Sequence, residues 1–403
     1  MIDGSRLQQD LDELSRIGAQ PGGGLRRPGF GPEAAQAAAM VVGWMREAGM
    51  TAGLDAWGNA VGILPGSGGG APICIGSHVD TVPDGGRYDG ALGVLGGVAV
   101  ARALGAGSLR RPLAVVAFLD EEGNAFGIGC LASSLYVGRD VGSVRERVRA
   151  VVESRGDGGL GRVELPRPAA YLELHLEQGP VLDRSGGLVA AVDSIAGIDR
   201  ADVTFVGEAN HAGTTPMDAR HDALCGAAAW VLAVRELALA SKGRAVATVG
   251  VLTAHPGATN VIPGRVDLRL EVRSPDAAAL RETCGACESA AQRIASAYGL
   301  AASVGGWHRT VPVGLDAALV GDVRAAVGAC GYPDRVLPSW AGHDAKVMAS
   351  AGVPAAMIFA RTRDGRSHCP EEFVPEQAVA AGAEVLLGAV RRADARLAAA
   401  GGQ

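Results

Sequence analysis

Short apolar runs alternate with stretches of helical periodicity over the first two hundred residues. The apolar runs that predict buried strands cover residues 71–75, 113–119 and 170–176. The helical patterns cover residues 7–17, 33–48, 90–104 and a short stretch near 133–137. This alternation predicts an α/β fold, with a mostly parallel sheet and helices on both faces.

The pattern changes near Ile198 and changes back near Gly314. Between these points, strands are predicted at 202–207, 245–253, 266–273 and from 301, with helices at 222–239 and 276–298. Beyond them, a helix at 317–330, a strand at 354–360 and a helix at 375–398 resume the α/β pattern. We therefore predict an α/β domain of residues 1–197 and 314–403, with an α+β domain of residues 198–313 inserted into it.

Composition narrows the class of protein. A chain of 403 residues is long enough for two domains. Its formal net charge of −6 does not indicate a protein that binds nucleic acid. We expect no membrane segment, because apolar stretches of the length that spans a bilayer are not evident in the sequence. The seven cysteines have no framework spacing, which predicts reduced thiols and a cytoplasmic location.

Candidate chemistry begins directly after the first apolar run. His78 and Asp80 are two residues apart, so an extended backbone places both side chains on one face. A carboxylate beside an imidazole can accept its second N–H and leave the other nitrogen for a metal. Asp89 follows in a glycine-rich turn that can return its carboxylate to the same place.

Further candidate ligands follow the other predicted strands. Glu121 and Glu122 follow the strand at 113–119, His175 lies at the end of the strand at 170–176, and His368 follows the strand at 354–360. In open α/β sheets, ligands bind beyond the carboxyl ends of the strands. The sequence therefore predicts that these side chains meet.

Three imidazoles and two carboxylates suit two divalent ions of the zinc, manganese, cobalt or nickel kind. Asp89 has one oxygen for each ion and is the candidate bridge. One of Glu121 and Glu122 is then left to act as a base, which predicts hydrolysis by an activated water molecule.

Several motifs along nearly the whole chain then carry a family resemblance. They are Gly76-Ser-His-Val-Asp-Thr-Val-Pro83, Gly85-Gly-Arg-Tyr-Asp-Gly-Ala-Leu-Gly93, Asp120-Glu-Glu-Gly123, Glu173-Leu-His-Leu-Glu-Gln-Gly-Pro180, Gly207-Glu-Ala-Asn-His-Ala-Gly-Thr-Thr-Pro-Met217, Asn260-Val-Ile-Pro-Gly264 and Ser367-His-Cys-Pro-Glu-Glu372. With them the chain resembles the amidohydrolase branch of the M20 metallopeptidase superfamily. That branch includes N-carbamoyl-L-amino-acid hydrolases, β-ureidopropionases and allantoate amidohydrolases.

The resemblance implies a role for each motif residue. The implied metal ligands are His78, Asp89, Glu122, His175 and His368, with Asp89 as the bridge. Asp80 is implied to orient His78, and Glu121 to act as the general base. The inserted domain is implied to be a lid and dimerisation domain, which predicts a homodimer. The implied substrate contacts are Gln178, His211, Asn260 and Arg273.

Two of these substrate contacts have a structural alternative. His211 could cap its glycine-rich turn, and Arg273 could pair with a surface carboxylate. If instead they contact substrate, Arg273 would clamp a carboxylate and His211 would stabilise the oxyanion on closure or across the dimer.

The chain departs from the family pattern at two positions near the expected site. Trp340 stands where relatives usually have glycine, and the segment after Glu122 lacks the usual arginine near Ala125. Trp340 either faces the substrate pocket or packs beneath its loop.

The activity that the resemblance implies is cleavage of the C–N bond of an N-carbamoyl or related N-acyl amino acid. The alternatives are allantoate-type ureide hydrolysis, hydrolysis of acylamino acids or dipeptides, and a non-catalytic protein that binds an amino-acid ligand.

Overall fold

A computed structural model describes residues 1–400. It divides into two compact units, one formed by Met1–Asp193 with Gly314–Gln403 and the other by Ser194–Val313. The helices are α1 (Gly4–Leu14), α2 (Pro32–Glu47), α3 (Ala91–Leu104), α4 (Leu131–Tyr136), α5 (Val144–Arg155), α6 (Val181–Ser185), α7 (Ala223–Ala240), α8 (Ala277–Ala297), α9 (Ala317–Ala329), α10 (Asp344–Ser350) and α11 (Glu376–Ala400). The strands are β1 (Thr51–Leu54), β2 (Ala60–Leu64), β3 (Ile73–His78), β4 (Leu113–Phe118), β5 (Ala170–Leu176), β6 (Val189–Ile195), β7 (Gly197–Val206), β8 (Val246–His255), β9 (Arg265–Ser274), β10 (Ala301–Arg309), β11 (Val313–Gly314), β12 (Val336–Ser339) and β13 (Ala355–Ala360).

The first unit is built on a nine-stranded mixed sheet. Its strand order is β1-β2-β4-β3-β5-β13-β6-β11, and β12 pairs with β6. The four central strands β4, β3, β5 and β13 are parallel to one another. The prediction of a mostly parallel sheet is correct for this centre and wrong for its flanks, where β1, β2 and β6 pair antiparallel.

The central strands are buried on both faces, as their continuous apolar runs predict. Helix α3 packs against them through glycines. A Cβ atom at Gly93 would lie 2.3 Å from the Leu174 carbonyl oxygen, so only glycine permits this close approach. This contact holds the start of α3, which follows Asp89, against the sheet.

The second unit is an α+β sandwich with the strand order β10-β7-β9-β8. Helices α7 and α8 cover one face, and their shared core with the sheet includes Trp230, Phe205, Leu268 and Cys287. Cys284 and Cys287 are buried free thiols within α8.

Helix α7 corrects one expectation from sequence. By length and composition alone, its 18 residues with a mean hydropathy of 1.6 could cross a membrane, although no such stretch was expected. It lies instead on the sheet of the second unit, with Trp230 and Val234 buried. Only 28% of the helix is buried, and Leu232 and Leu239 on it are exposed.

Candidate active site

The carboxyl ends of the parallel strands bring the predicted ligands together. His78 is the last residue of β3 and pairs in register with Phe118 of β4, two residues before Asp120. His175 of β5 pairs with Phe359 of β13, and the chain beyond β13 continues to His368. The sheet therefore collects these side chains at one edge.

The ring of His78 is oriented by the backbone of Asp80. Its Nδ1 lies 3.0 Å from the Asp80 carbonyl oxygen, which can only accept, so Nδ1 carries the proton and Nε2 is left as a ligand. The Asp80 carboxylate is 3.7 Å from the same nitrogen. It accepts instead the backbone N–H groups of Glu121 and Glu122, each at 3.2 Å.

The two oxygens of Asp89 face different histidines. Oδ1 lies 3.1 Å from His175 Nε2 and 4.0 Å from His78 Nε2. Oδ2 lies 3.1 Å from His368 Nε2, which is itself 3.3 Å from Glu122 Oε1. This is the arrangement that a carboxylate shared between two ions requires.

Glu121 lies beside these groups with its side chain almost buried. Its Oε2 is 3.8 Å from His78 Nε2, and its Oε1 accepts a hydrogen bond from the Cys130 thiol at 3.2 Å. Burial raises the pKa of Glu121 well above its usual range, and the charges of Asp344 and Glu122 add to this. Burial, followed by the charge of Asp89, raises the pKa of Glu122 to about 8.

The electrostatics of the site favour bound cations. Burial alone would raise the pKa of Asp89, but hydrogen bonds to His175 and His368 hold it well below its usual range. Burial lowers the pKa of His175, yet its contacts with Asp89 outweigh this and raise it to about 9. For His78, burial prevails and lowers the pKa to about 4. Divalent ions would relieve the crowding of buried carboxylates that raises the pKa of Glu121 and Glu122.

The donor atoms fit metal ions in number, type and position. One group is His78, Asp89 and His175, and a second is Asp89, Glu122 and His368. Within each group the ligand atoms lie within 4.8 Å of one another. Imidazole and carboxylate donors suit zinc, manganese, cobalt and nickel. These five residues could therefore hold two ions; Glu173 with His175 and His343, and His78 with Glu121 and Glu122, are two further groups of the same spacing.

Comparisons with known proteins agree with this geometry. The model of peptidase family M20/M25/M40 matches residues 74–392. An N-carbamoyl-L-amino acid amidohydrolase of Geobacillus stearothermophilus is 37% identical, over 96% of this chain and 97% of that protein. The chain belongs to the M20 family, in its hydantoinase/carbamoylase branch.

Two other proteins are similar to the chain over most of its length. A hydantoinase/carbamoylase family amidase of known structure from Burkholderia multivorans is 36% identical, with a TM-score of 0.89 over 96% of this chain and 97% of that one. An allantoate deiminase of Arabidopsis thaliana is 32% identical over 90% of this chain and 77% of its own. The M20 family member described here is a hydrolase that acts on C–N bonds.

Two of the predicted substrate contacts meet within the second unit. The backbone of His211 pairs with that of Val261, and Ala212 N–H donates to the Asn260 carbonyl at 3.0 Å. His211 also caps its own turn, because its Nδ1 accepts the N–H groups of Gly213 at 2.9 Å and Thr214 at 3.2 Å. In the neutral ring the proton therefore lies on Nε2.

Arg273 lies at the opposite end of β9 from the segment that carries Asn260. It is eight residues beyond Arg265, a distance of about 26 Å along a strand. Its Nε contacts Glu271 Oε1 at 2.7 Å, so the predicted pairing with a carboxylate does occur. Arg273 therefore lies at the end of β9 that is remote from the loop preceding the strand, in which Asn260 stands.

In the first unit, Gln178 lies beside Asp89, the candidate bridging ligand of the two metal ions. Its Nε2 is 3.1 Å from Asp89 Oδ2, while its buried Oε1 has no hydrogen-bond partner within residues 1–400. Trp340 is half-buried and follows Ser339, whose hydroxyl lies 2.7 Å from His343 Nε2.

The sequence prediction gave no role to five polar residues beside the candidate ligands, namely the buried Glu173, His343, Asp344 and Glu372 and the half-buried Ser367. Glu173 accepts the N–H of Ala345 at 2.7 Å, and the ring of His343 packs 4.5 Å from that of His175. Glu173, Ser367 and Glu372 stand in motifs that also contain a predicted ligand, whereas His343 and Asp344 do not. The sequence shows where these residues stand along the chain, but it does not show which groups they contact in the fold.

Proposed function

We propose that this chain hydrolyses N-carbamoyl amino acids to the free amino acid, ammonia and carbon dioxide with one water molecule. The observation that carries the proposal is the pair of donor groups that share Asp89, with Glu121 beside them. Two divalent ions bound there would lower the pKa of a water molecule and polarise the substrate carbonyl.

In this proposal Glu121 accepts the proton of the attacking water and passes it to the leaving nitrogen. The Asp80 carboxylate keeps Glu121 and Glu122 in place through their backbone N–H groups. The ring of His78 is kept in the ligating orientation by the Asp80 carbonyl.

Gln178 favours a carbamoyl over an acyl substrate. Its Nε2 already donates a hydrogen bond to Asp89. The unpartnered Oε1 is therefore left as a hydrogen-bond acceptor at the same edge of the sheet. If the Gln178 side chain turns toward the substrate, the terminal NH₂ of a ureido group can donate to this buried oxygen, whereas the methyl of an acetyl group cannot. A buried polar group left unpaired costs roughly 1–3 kcal/mol, so the acyl analogue should be the poorer substrate.

Allantoate-type ureides are the second candidate, favoured by the similarity to the allantoate deiminase. Such substrates also carry terminal NH₂ groups, so Gln178 does not separate them from carbamoyl amino acids. N-acylamino acids and dipeptides remain the third candidate, with Trp340 altering the pocket.

A substrate panel tests these proposals. Matched N-carbamoyl, N-acetyl and N-formyl amino acids, dipeptides and allantoate are incubated with metal-stripped enzyme reloaded with zinc, manganese, cobalt or nickel. Ammonia release from a carbamoyl substrate supports the proposal. Preferred release of acetate or formate would overturn it.

We also propose that the enzyme is a homodimer formed through the second unit, in which the two copies complete each other's sites. The length of β9, which separates Arg273 from the loop of Asn260, favours an arrangement in which His211 and Asn260 reach the substrate from one chain and Arg273 from the other. His211 would then donate its Nε2–H to the oxyanion, and Arg273 would bind the substrate carboxylate.

An exposed apolar surface supports this dimer. Strand β8 is at the edge of its sheet and exposes Val251 and Leu252, and α7 exposes Leu232 and Leu239. An exposed edge strand offers unpaired backbone groups to a second copy. We further propose a cytoplasmic location, in keeping with seven cysteines that are all free thiols.

A further inference from the structure

Glu372 contacts two segments of the candidate site. One carries Asp89, and the other carries His368. Glu372 follows His368 by four residues, and only 4% of it is exposed. Its Oε1 accepts the backbone N–H groups of Tyr88 at 2.9 Å and Asp89 at 3.1 Å. Its Oε2 lies 2.8 Å from the hydroxyl of Ser367, the residue before His368.

The loop of Asp89 is fitted closely against this carboxylate. A Cβ atom at Gly86 would lie 2.2 Å from Glu372 Oε1, so any larger residue would displace the glutamate. The backbone at Gly86 is not left-handed, and the need for glycine therefore comes from the close approach.

We propose that Glu372 is a positioning residue that fixes Asp89 relative to His368, so that one carboxylate can serve two metal ions. The inference rests on the metal binding assumed in the proposed function. Glu372 holds the backbone from which the Asp89 side chain projects, and through Ser367 it holds the start of the His368 segment. Because both donor groups share Asp89, a shift of its backbone disturbs both of them.

Metal titration of the stripped protein tests this role without a substrate. Bound metal is counted by mass spectrometry, affinities are measured by calorimetry, and folding is followed by thermal melting. Glu372→Ala should weaken binding at both sites by about 10- to 100-fold, the usual effect of losing a group that orients ligands. Glu372→Gln should bind nearly as wild type, since its amide oxygen can accept both N–H groups and its NH₂ can donate to Ser367.

Two further variants separate position from charge and from general damage. Glu372→Asp keeps the charge but shortens the side chain by one methylene, so it should weaken metal binding while the protein stays folded. If Glu372→Ala does not fold, the Asp variant alone tests the positioning role. Glu371→Ala changes the exposed neighbouring glutamate and should have no effect.

Wild-type affinity in a folded Glu372→Asp or Glu372→Ala protein would overturn the inference, as would a Gln variant as defective as Ala. If the wild type binds two ions and the variants behave as expected but no ureide is hydrolysed, the proposed substrate fails and the positioning role stands.

Discussion

The Asp80 carboxylate accepts the backbone N–H of Glu121, with the two atoms 3.2 Å apart. The ring of His78 is held by the Asp80 carbonyl instead, at 3.0 Å from Nδ1. The side chain of Asp80 therefore orients the turn of Glu121, the proposed general base, and its main chain orients His78. A substitution of the side chain alone can separate these two effects.

We expect Asp80→Asn to lower kcat by roughly 10- to 100-fold and to retain most of the bound metal. The amide would turn an N–H group toward one of the two backbone N–H donors, while the carbonyl contact to His78 persists. Metal content and kcat are measured on the same preparation. Asp84→Asn, an exposed carboxylate on the same loop, is the control. Loss of metal in step with activity would show that the carboxylate orients His78 after all.

Glu121→Gln should keep both metals and lose roughly two to four decades of rate, the usual contribution of a general base. The glutamine has nearly the same shape but cannot accept the proton of the attacking water. Stopped assays with metal analysis provide the comparison. Substantial activity at full metal content would remove Glu121 from its assigned role.

Gln178→Met should reduce hydrolysis of an N-carbamoyl amino acid more than that of the N-acetyl analogue with the same side chain. Methionine removes the Oε1 acceptor, and its loss of the Asp89 contact affects both substrates alike. The ratio of the two kcat/KM values should fall about tenfold, equivalent to about 1.4 kcal/mol. An unchanged ratio would mean that Oε1 does not receive the ureido NH₂.

Much of this site could be predicted from sequence because its ligands follow strands that are readable as apolar runs. The strands β4, β5 and β13 were each predicted to within about one residue at both ends, whereas β3 was predicted about three residues short of His78; the parallel arrangement then fixes where His78 and His175 point. The antiparallel flanks were not predicted, because β1 and β2 have only four and five residues and β6 has no clear alternation of apolar and polar positions.

The contacts of Asp80 and Glu372 could not be predicted for a different reason. Each carboxylate binds backbone N–H groups of a segment 40 or more residues away, as with Glu372 and Tyr88. Every residue except proline has a backbone N–H, so the residue type does not indicate which N–H groups a distant carboxylate binds. For His211 the sequence left two roles open, a cap of its own turn and a hydrogen-bond donor to the substrate. Because these roles use different ring nitrogens, one side chain can serve both.

Trp340→Gly should broaden activity toward common N-carbamoyl amino acids and leave metal binding unchanged. The half-buried indole would occupy volume near the His343 segment that a bulky substrate side chain needs. The kcat/KM values for small and large side chains are compared in wild type, Trp340→Gly and Trp340→Phe, with phenylalanine retaining the aromatic ring. If all three proteins share one substrate profile, the ring packs beneath its loop and has no part in the pocket.

The proposed dimer predicts that two inactive variants restore each other. His211→Ala and Arg273→Ala should each be nearly inactive as pure proteins. When they are unfolded and refolded together, random pairing makes half of the dimers mixed, and each mixed dimer has one site with both residues intact. Activity should then recover to about a quarter of the wild-type value.

A mixture of His211→Ala with Glu121→Gln provides the matched comparison for this experiment. If His211 acts across the dimer while Glu121 acts within its own chain, a mixed dimer of these two variants again has one complete site. Arg273→Ala mixed with Glu121→Gln should instead recover nothing, because both residues serve the site of their own chain. Recovery in neither of the first two mixtures, with dimers present by light scattering, would show that each chain supplies its own His211 and that the composite site is wrong.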